Sequence, residues 1–476
     1  MVEFSNRRSE LGLLESKYAR LEKGELVILY GRRRVGKTEL VLQFLKKIPE
    51  KEKLYFLIDE GTPSAMLSGI AEDIARQWHG ETPAFHSWDE FFGYLEGKSE
   101  RTKLAVAIDE FQRMHTDPRA FSRLQKAWDT MLRNRRMLIV LLGSAIGAIH
   151  KIAIGSRSPL FGRATWRYQI EPFDYQAFRE ALPPTDEALL VTLYATFGGM
   201  PHYLRFAEEI VKGRDYLDAV EEHILKKSGL LRDEPQALLR MELKDTGRYN
   251  SILSAIADGH LKLTEISAQT GISPAGLNFY ITRLQHSLRL IEKIEPVCGK
   301  KRLSKYVFTD NFFRFWYRFV AKNLSSLEIE DYAFARKKIE AELPAFTGPV
   351  FESIVRELIA KYNRRRIKGF PIEVEKLGGW WSRTGNEVDV CGVSKNGLLL
   401  GEVKWQNKPA DFDVVSNLLE MKKHIQCTPA QAQHTRFLVV SKSGFTPAAL
   451  SLMREHGVLG LELKDVSALF NALEKK

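Results

Sequence analysis

Cysteine is scarce in this chain. Three occur in 476 residues, at Cys298, Cys391 and Cys427, and their wide spacing matches no metal or redox motif, as suits a reducing cytoplasm. Long apolar runs are missing as well. None approaches the roughly 20 residues of a membrane-spanning helix, so no membrane partner is expected. The opening "MVEFSNRRSELGLLE" has no apolar stretch behind its basic residues and does not read as a secretion signal. Internal repeats, low-complexity tracts and long Pro/Gly/Ser linkers are also absent, so domain edges must come from changes in pattern.

What is present is ordinary globular composition, 44% hydrophobic and 28% charged, at a length suited to about three domains. Lys and Arg outnumber Asp and Glu by 71 to 60, a net charge of +11 that is compatible with a nucleic-acid partner and equally with a merely basic protein.

Residues 1–183 alternate helical stretches with short apolar runs: "LVILY" (26–30), "LYFLI" (54–58), "LAVAI" (104–108) and "MLIVLLG" (137–143). That alternation predicts a parallel sheet flanked by helices. Residues 184–248 read as helical. Residues 249–325 read as a helix-turn-helix with a β-wing, where Ser273 as N-cap and Pro274 at the first helical position start the second helix of the pair. A charged connecting helix is expected over 321–345. Gly348-Pro349 then opens a new helix ahead of three strand-like runs, so 326–476 reads as a separate α/β domain.

"LVILYGRRRVGKTELVLQF" is a strand, a glycine-bounded loop and an amphipathic helix in that order. In a GxxxxGK[ST] loop the backbone of Gly31, Arg32, Arg33, Arg34, Val35 and Gly36 turns its N–H groups toward phosphate oxygens. Lys37 reaches the β- and γ-phosphates, and Thr38 offers its hydroxyl to Mg²⁺. The three arginine side chains read equally well as solvated. "KLAVAIDEFQ" ends a buried strand on Asp109-Glu110, where Asp109 would hold Mg²⁺ through water and Glu110 would orient or deprotonate the attacking water. A strand end followed by an acidic helix cap is the plainer account. Ser144 in "MLIVLLGSA" stands at the equivalent edge, placed to sense the γ-phosphate. "LYFLI" supplies a strand between the loop and the Asp-Glu pair, as in ATPases with an extra catalytic glutamate.

Taken together, "FSNRRSELGLLE", "IDEFQ", "LLGSA", "SPLFGR" and "GGMPHYL" resemble the archaeal-type ATPases, relatives of the AAA+ and signal-transduction ATPases, over about residues 1–320. The resemblance implies an arginine near the γ-phosphate at Arg163, which on residue type alone reads as well as a surface ion pair. It also implies that residues 198–201 lie near the nucleotide base.

The stretch "EVDVCGVSKNGLLLGEVKW" (387–405) reads as a β-hairpin. A two-residue type I′ turn at Asn396-Gly397 would place Asp389 opposite Lys404 with Glu402 a diagonal step away. By strand alternation Glu387, Asp389, Glu402 and Lys404 share one face, and Val388, Val390, Val403 and Trp405 the other. Carboxylates at Asp389 and Glu402 can share hard Mg²⁺ ions, with Lys404 positioning a nucleophile or offsetting developing charge. A solvated hairpin face lined with cross-strand pairs, each contributing roughly a few tenths of a kcal/mol, has the same pattern.

The spacing resembles the core of the PD-(D/E)xK nucleases, with Asp389 as first acid, "EVK" as the E-x-K element and Glu352 as the additional acid. The fold implied for 326–476 is restriction-endonuclease-like. The chain lacks a proline before Asp389. Basic residues at 361–370 ("KYNRRRIKGF") and on the wing (Lys300, Lys301, Arg302, Lys305) are candidates for phosphate contact, as are Asn278, Thr282, Arg283 and Gln285 on the recognition helix.

The expectation is therefore a cytoplasmic α/β protein with a P-loop ATPase core, a helical lid, a winged helix and a nuclease-like domain. ATP and Mg²⁺ are its expected cofactors, DNA its expected partner, and self-association a further one. The alternatives are a regulatory ATP switch whose C-terminal domain binds DNA or protein without cutting, and a protein-remodelling or defence-signalling ATPase.

Overall fold

The computed structural model describes residues 6–156, 158–299 and 303–474. Two compact units emerge: one reaches to Pro172 and takes in His286–Leu288, and the other comprises Phe173–Gln285 and the chain from Arg289 onward.

In the first unit β1 (Glu25–Tyr30), β2 (Lys53–Leu57), β3 (Leu104–Asp109), β4 (Met137–Gly143) and β5 (Trp166–Gln169) run parallel in the order β2-β3-β4-β1-β5. Every residue of β3 and β4 is buried. Helices on both faces leave no solvated side for alternation, which is why these strands read as unbroken apolar runs. Met66, Leu67 and Ile70 from the helix Pro63–Trp78, and Phe91, Phe92 and Leu95 from Trp88–Ser99, close one such layer over Phe56, Val106 and Ile139. β5 has no apolar run to announce it, because its four residues sit at the sheet edge and stay part-exposed. The expected intervening strand needs correction. "LYFLI" follows the loop in the chain, but in the sheet it is β4 that separates β1 from β3, and β2 is the outer edge.

The second unit begins helically. The helices Gly247–Ala257, Leu263–Thr270 and Pro274–His286 precede an antiparallel pair, β6 (Ile291–Ile294) and β7 (Lys305–Phe308). Ser273 Oγ accepts the Gly276 N–H at 3.3 Å, so this helix starts where its cap residue indicates. After a short pair, β8 (Arg366–Ile367) and β9 (Phe370–Pro371), comes a mixed sheet of β10 (Lys376–Trp381), β11 (Glu387–Val393), β12 (Leu398–Lys404), β13 (Thr435–Ser441) and β14 (Leu459–Glu462) in that order. β11 runs antiparallel to both of its neighbours, β10 and β12, while β12, β13 and β14 are parallel. Each parallel step requires a crossover, supplied by the helices Phe412–Met421 and Pro447–Glu455. No helix among the described residues is long and apolar enough to cross a membrane.

Two local expectations fail here. Gly348-Pro349 does not open a helix: a single helix, Tyr332–Lys361, runs through both Pro344 and Pro349. Each interior proline costs about 3 kcal/mol. The same helix buries Phe346, Val350, Phe351, Ile354, Val355, Leu358 and Ile359, each contributing about 1.5–3 kcal/mol, so burial wins. Arg314 Nη2 also donates to Phe346 O at 3.0 Å, and Thr347 Oγ1 to Leu343 O at 2.8 Å, so side chains add to the bonds along this stretch.

The hairpin turn also differs. Lys395, Asn396 and Gly397 all avoid positive φ, so no type I′ turn forms at Asn396-Gly397. Ser394 N–H donates to Gly397 O at 3.0 Å, and the strands pair Val393 with Leu398 and Val390 with Gly401. One step further Asp389 comes alongside Glu402 rather than Lys404. Glycine is needed at 397 for close approach, since a Cβ there would lie 3.0 Å from His434 O. The register shifts by two, so side chains keep the expected faces.

Pro349 is exposed. Pro349→Ala is expected to stabilise the protein by up to about 3 kcal/mol, read as a raised Tm by differential scanning calorimetry. An unchanged or lowered Tm would show that the proline is not strained within the helix.

Candidate functional site

The nucleotide loop leaves the buried end of β1 and enters the helix Lys37–Lys46 through Gly36, whose φ of 88° is readily open only to glycine. Lys37 is buried, and its Nζ donates to Gly31 O and Arg32 O at 2.9 Å each, holding the loop closed around its own ammonium. Thr38 Oγ1 donates to Asp109 Oδ2 at 2.6 Å, joining the loop to the end of β3. The same oxygen accepts Tyr55 Oη at 3.0 Å, and Asp109 Oδ1 accepts the Glu110 N–H at 2.8 Å. Burial first, and the Asp109 charge second, push the Tyr55 phenol well above its ordinary range, so it acts as a fixed donor.

Glu110 adopts the left-handed φ of 52°. Its Oε2 accepts Ser144 Oγ at 3.0 Å from the end of β4, and also Gln112 Nε2. Lys37, Thr38, Asp109, Glu110 and Ser144 are thus linked across β1, β3 and β4. Of the loop arginines, Arg34 is exposed with φ 69°, while Arg32 and Arg33 are half-buried. Val35 is buried. Arg163 does not join this group. It forms a bidentate pair with Asp129, at 3.0 Å from Nε and 2.7 Å from Nη2, and donates to the carbonyls of Pro159 and Phe161.

Besides Gln112, which lies within the quoted "IDEFQ" and bonds Glu110, two residues of the site were not singled out from the sequence. Tyr55 is one, hidden because nothing in an apolar run reveals a hydroxyl aimed at Asp109. Arg7 is the other. Buried at the loop's back, it donates to Val35 O at 3.3 Å and Glu171 O at 2.5 Å and pairs with Glu10 at 3.3 Å. Its only signal was the "NRRSE" segment ahead of the loop. Thr38 and Asp109 present hard oxygen donors side by side, a set that fits Mg²⁺.

In the second unit Asp389, Glu402 and Lys404 lie half-buried on one face of β11 and β12. Val403 N–H donates to Asp389 Oδ2 at 2.8 Å, and Lys404 is ion-paired with Glu402. Glu352 and Arg356, one turn apart on the helix Tyr332–Lys361, complete the group. Arg356 Nη1 donates to Asp389 O at 2.7 Å and lies 3.5 Å from Glu352. Burial, then the charges of Glu352 and Glu402, push the Asp389 carboxyl up to about 8. Burial is also the chief cause raising Glu352, with Arg356 opposing it. Burial lowers the Lys404 ammonium, but Glu402 and Asp389 more than reverse this.

Glu387 is drawn off by Lys305, 2.8 Å away on β7. Among the described residues no three of His, Cys, Asp and Glu are arranged to hold a metal ion, so a cation here would take its remaining ligands from water or a substrate phosphate.

Of the phosphate-contact candidates, Lys368 pairs with Asp465 at 2.8 Å. Arg283 does not face outward but donates to Glu242 O at 3.0 Å. Lys300, Lys301 and Arg302 lie outside the described residues.

Residues 4–206 match an ATPase domain predominantly from Archaea, and residues 316–417 match a family described as "Archaea bacterial proteins of unknown function". The chain is 30% identical over 409 residues to the uncharacterized protein MJECL04 of Methanocaldococcus jannaschii, covering 85% of this chain and 88% of that one. It is 54% identical over 46 residues to the uncharacterized ATP-binding protein MJ0423 of the same organism, 10% of this chain and 76% of that one. Among solved structures, the Walker-type ATPase PABY2304 of Pyrococcus abyssi superimposes with a TM-score of 0.51 at 22% identity, over 66% of this chain and 96% of that one.

Arg7→Ala strips the donor from two loop-side carbonyls. A destabilisation of about 1.5–3 kcal/mol is expected in thermal unfolding, with weakened nucleotide binding by calorimetry. A variant that matches the parent in both would remove Arg7 from the site. At Asp389 the folded carboxyl titrates near 8 rather than near the ordinary 3.8, so the folded state holds a proton that the unfolded chain has released. In chelator-treated protein stability should fall as pH rises through this window, and Asp389→Asn should flatten that dependence. A parent profile that is level between these pH values counts against the crowded-acid geometry.

Proposed function

This chain belongs to the family of ATPases found predominantly in Archaea and binds and hydrolyses ATP through its P-loop fold, and on that premise we propose that ATP turnover governs Mg²⁺-dependent cleavage of DNA at the Asp389, Glu402 and Lys404 face. In this reading residues 1–183 are the ATPase core, 184–248 a lid, 249–325 a winged helix and 326–476 a restriction-endonuclease-like domain.

At the nucleotide end Lys37 exchanges the carbonyls of Gly31 and Arg32 for β- and γ-phosphate oxygens. Thr38 and Asp109 would hold Mg²⁺, which offsets phosphate charge. Glu110 orients the attacking water and accepts its proton, and Ser144 and Gln112 keep that carboxylate aimed. At the other site Asp389 and Glu402, with Glu352 beside them, would hold a divalent cation that activates water and offsets charge on the scissile phosphate. Lys404 stabilises the charge that develops there.

The observation that carries the cleavage reading is the convergence of Asp389, Glu402, Lys404 and Glu352 on one face of a mixed sheet, with the Asp389 carboxyl pushed up to about 8 by burial and by its acidic neighbours. A cation relieves that crowding. A non-cleaving regulatory switch is favoured by a different observation: Lys404 already pairs with Glu402 and Arg356 with Glu352, so cations of the chain itself offset much of this charge.

The full chain incubated with single- and double-stranded DNA, Mg²⁺ or Mn²⁺, with and without ATP, distinguishes the two. Cutting that disappears in Lys404→Ala while ATP turnover persists is the expected outcome. DNA binding with no cutting under any metal would replace it with the switch. ATP turnover itself should drop by about 10²-fold or more in Lys37→Ala and Glu110→Gln. Normal turnover in both variants would remove the nucleotide assignment.

A further inference from the structure

The connection between β6 and β7 does not stand free of the C-terminal sheet. Val297 N–H donates to Gly379 O at 3.0 Å, and Trp381 Nε1 donates to Leu303 O at 2.5 Å. Lys305 lies 4.4 Å from the centre of the Trp381 ring while pairing with Glu387. Val297 and Leu303 therefore both meet β10, the edge strand.

Contact there is close because Gly378 has no side chain, and a Cβ at that position would come within 2.7 Å of Val297 Cγ2. Gly378 is also the β10 residue paired with Cys391 on β11. Cys298, next after Val297, packs against the apolar cluster that contains Cys391, Trp380, Val388 and Leu400. Val297 packs over Gly378, the β10 partner of Cys391, so Cys298 lies against the cluster in which Cys391 sits. Cys391 is fully buried, whereas Cys298 is partly exposed.

We propose that Cys298 and Cys391 form a redox-active dithiol whose disulfide fastens the β6–β7 connection to β11, the strand that carries Asp389. The co-reactant is a disulfide of a thiol–disulfide exchange partner. Cys298 thiolate attacks one of its sulfurs and expels the first thiol. Cys391 thiolate then attacks the Cys298 sulfur of the mixed disulfide and expels the second. The two cysteines lose two electrons and two protons, and the partner disulfide leaves as two thiols.

Cys298 acts first because of where it lies. It is the accessible member, and its partner Cys391 is fully buried, so an exchange partner reaches only Cys298. Burial within the sheet then leaves Cys391 as the resolving thiol, reached only by the Cys298 sulfur beside it. The proposal does not depend on whether the neighbouring carboxylates cleave DNA.

Full-length protein equilibrated with graded ratios of oxidised to reduced glutathione, alkylated and mapped under non-reducing conditions, tests it. The expected product is one linked peptide pair containing Cys298 and Cys391, reversed by dithiothreitol, with Cys427 alkylated throughout. Cys391→Ser should accumulate glutathione on Cys298, and Cys298→Ser should leave Cys391 unmodified. Alkylation of both Cys298 and Cys391 at the most oxidising ratio, or a bridge to Cys427, overturns the proposal. The parent peptide map decides the matter even if a serine variant folds poorly.

Discussion

The contact between Thr38 and Asp109, 2.6 Å long, joins the nucleotide loop to a strand two positions away in the sheet, and the rest of the nucleotide site is arranged around the carboxylate in it. Asp109 ends β3 with almost no exposed surface. A carboxylate removed from water at that depth is costly unless its lone pairs are filled. Thr38 and Tyr55 fill one oxygen, and the Glu110 amide fills the other. That amide bond goes with a left-handed backbone at Glu110, a conformation costly for a residue with a Cβ. Turned in this way, the Glu110 carboxylate meets Ser144 at the end of β4. Satisfying one buried acid thus goes together with the aim of a second.

The acidic face of the C-terminal sheet obeys the same rule with fewer donors. Asp389 receives a single backbone amide, from Val403, while two further carboxylates crowd it. The difference appears in the proton: the Asp389 carboxyl holds one up to about pH 8. Arg356 and Lys404 offset part of the charge, and Lys305 removes Glu387 from the competition.

Legibility in the sequence followed the range of the interactions. β1, β3 and β4 were readable because a strand covered on both faces is apolar along nearly all its length, and the loop because its glycines, lysine and threonine act over eight consecutive positions. Ser273 was readable as a cap because its partner lies three residues away. The turn at 394–397 was misread because Asn-Gly is only a local preference. Gly397 serves instead to admit His434 from the neighbouring connection to β13. Pro344 and Pro349 argued for a helix break, and lost to seven buried side chains whose burial cannot be counted along the chain.

By itself, therefore, the sequence determined the identities that act locally: the phosphate loop, the acid pair at the end of β3, the alternation that gathers Asp389, Glu402 and Lys404 on one face. The tertiary structure decided everything that depends on residues distant in the chain. It brought Arg7 behind the loop, Tyr55 onto Asp109, Arg163 onto Asp129 and Cys298 onto Cys391. The reason is physical: backbone periodicity and turn chemistry act over a few residues, whereas hydrogen-bond satisfaction and close packing act between whichever surfaces the folded chain presses together.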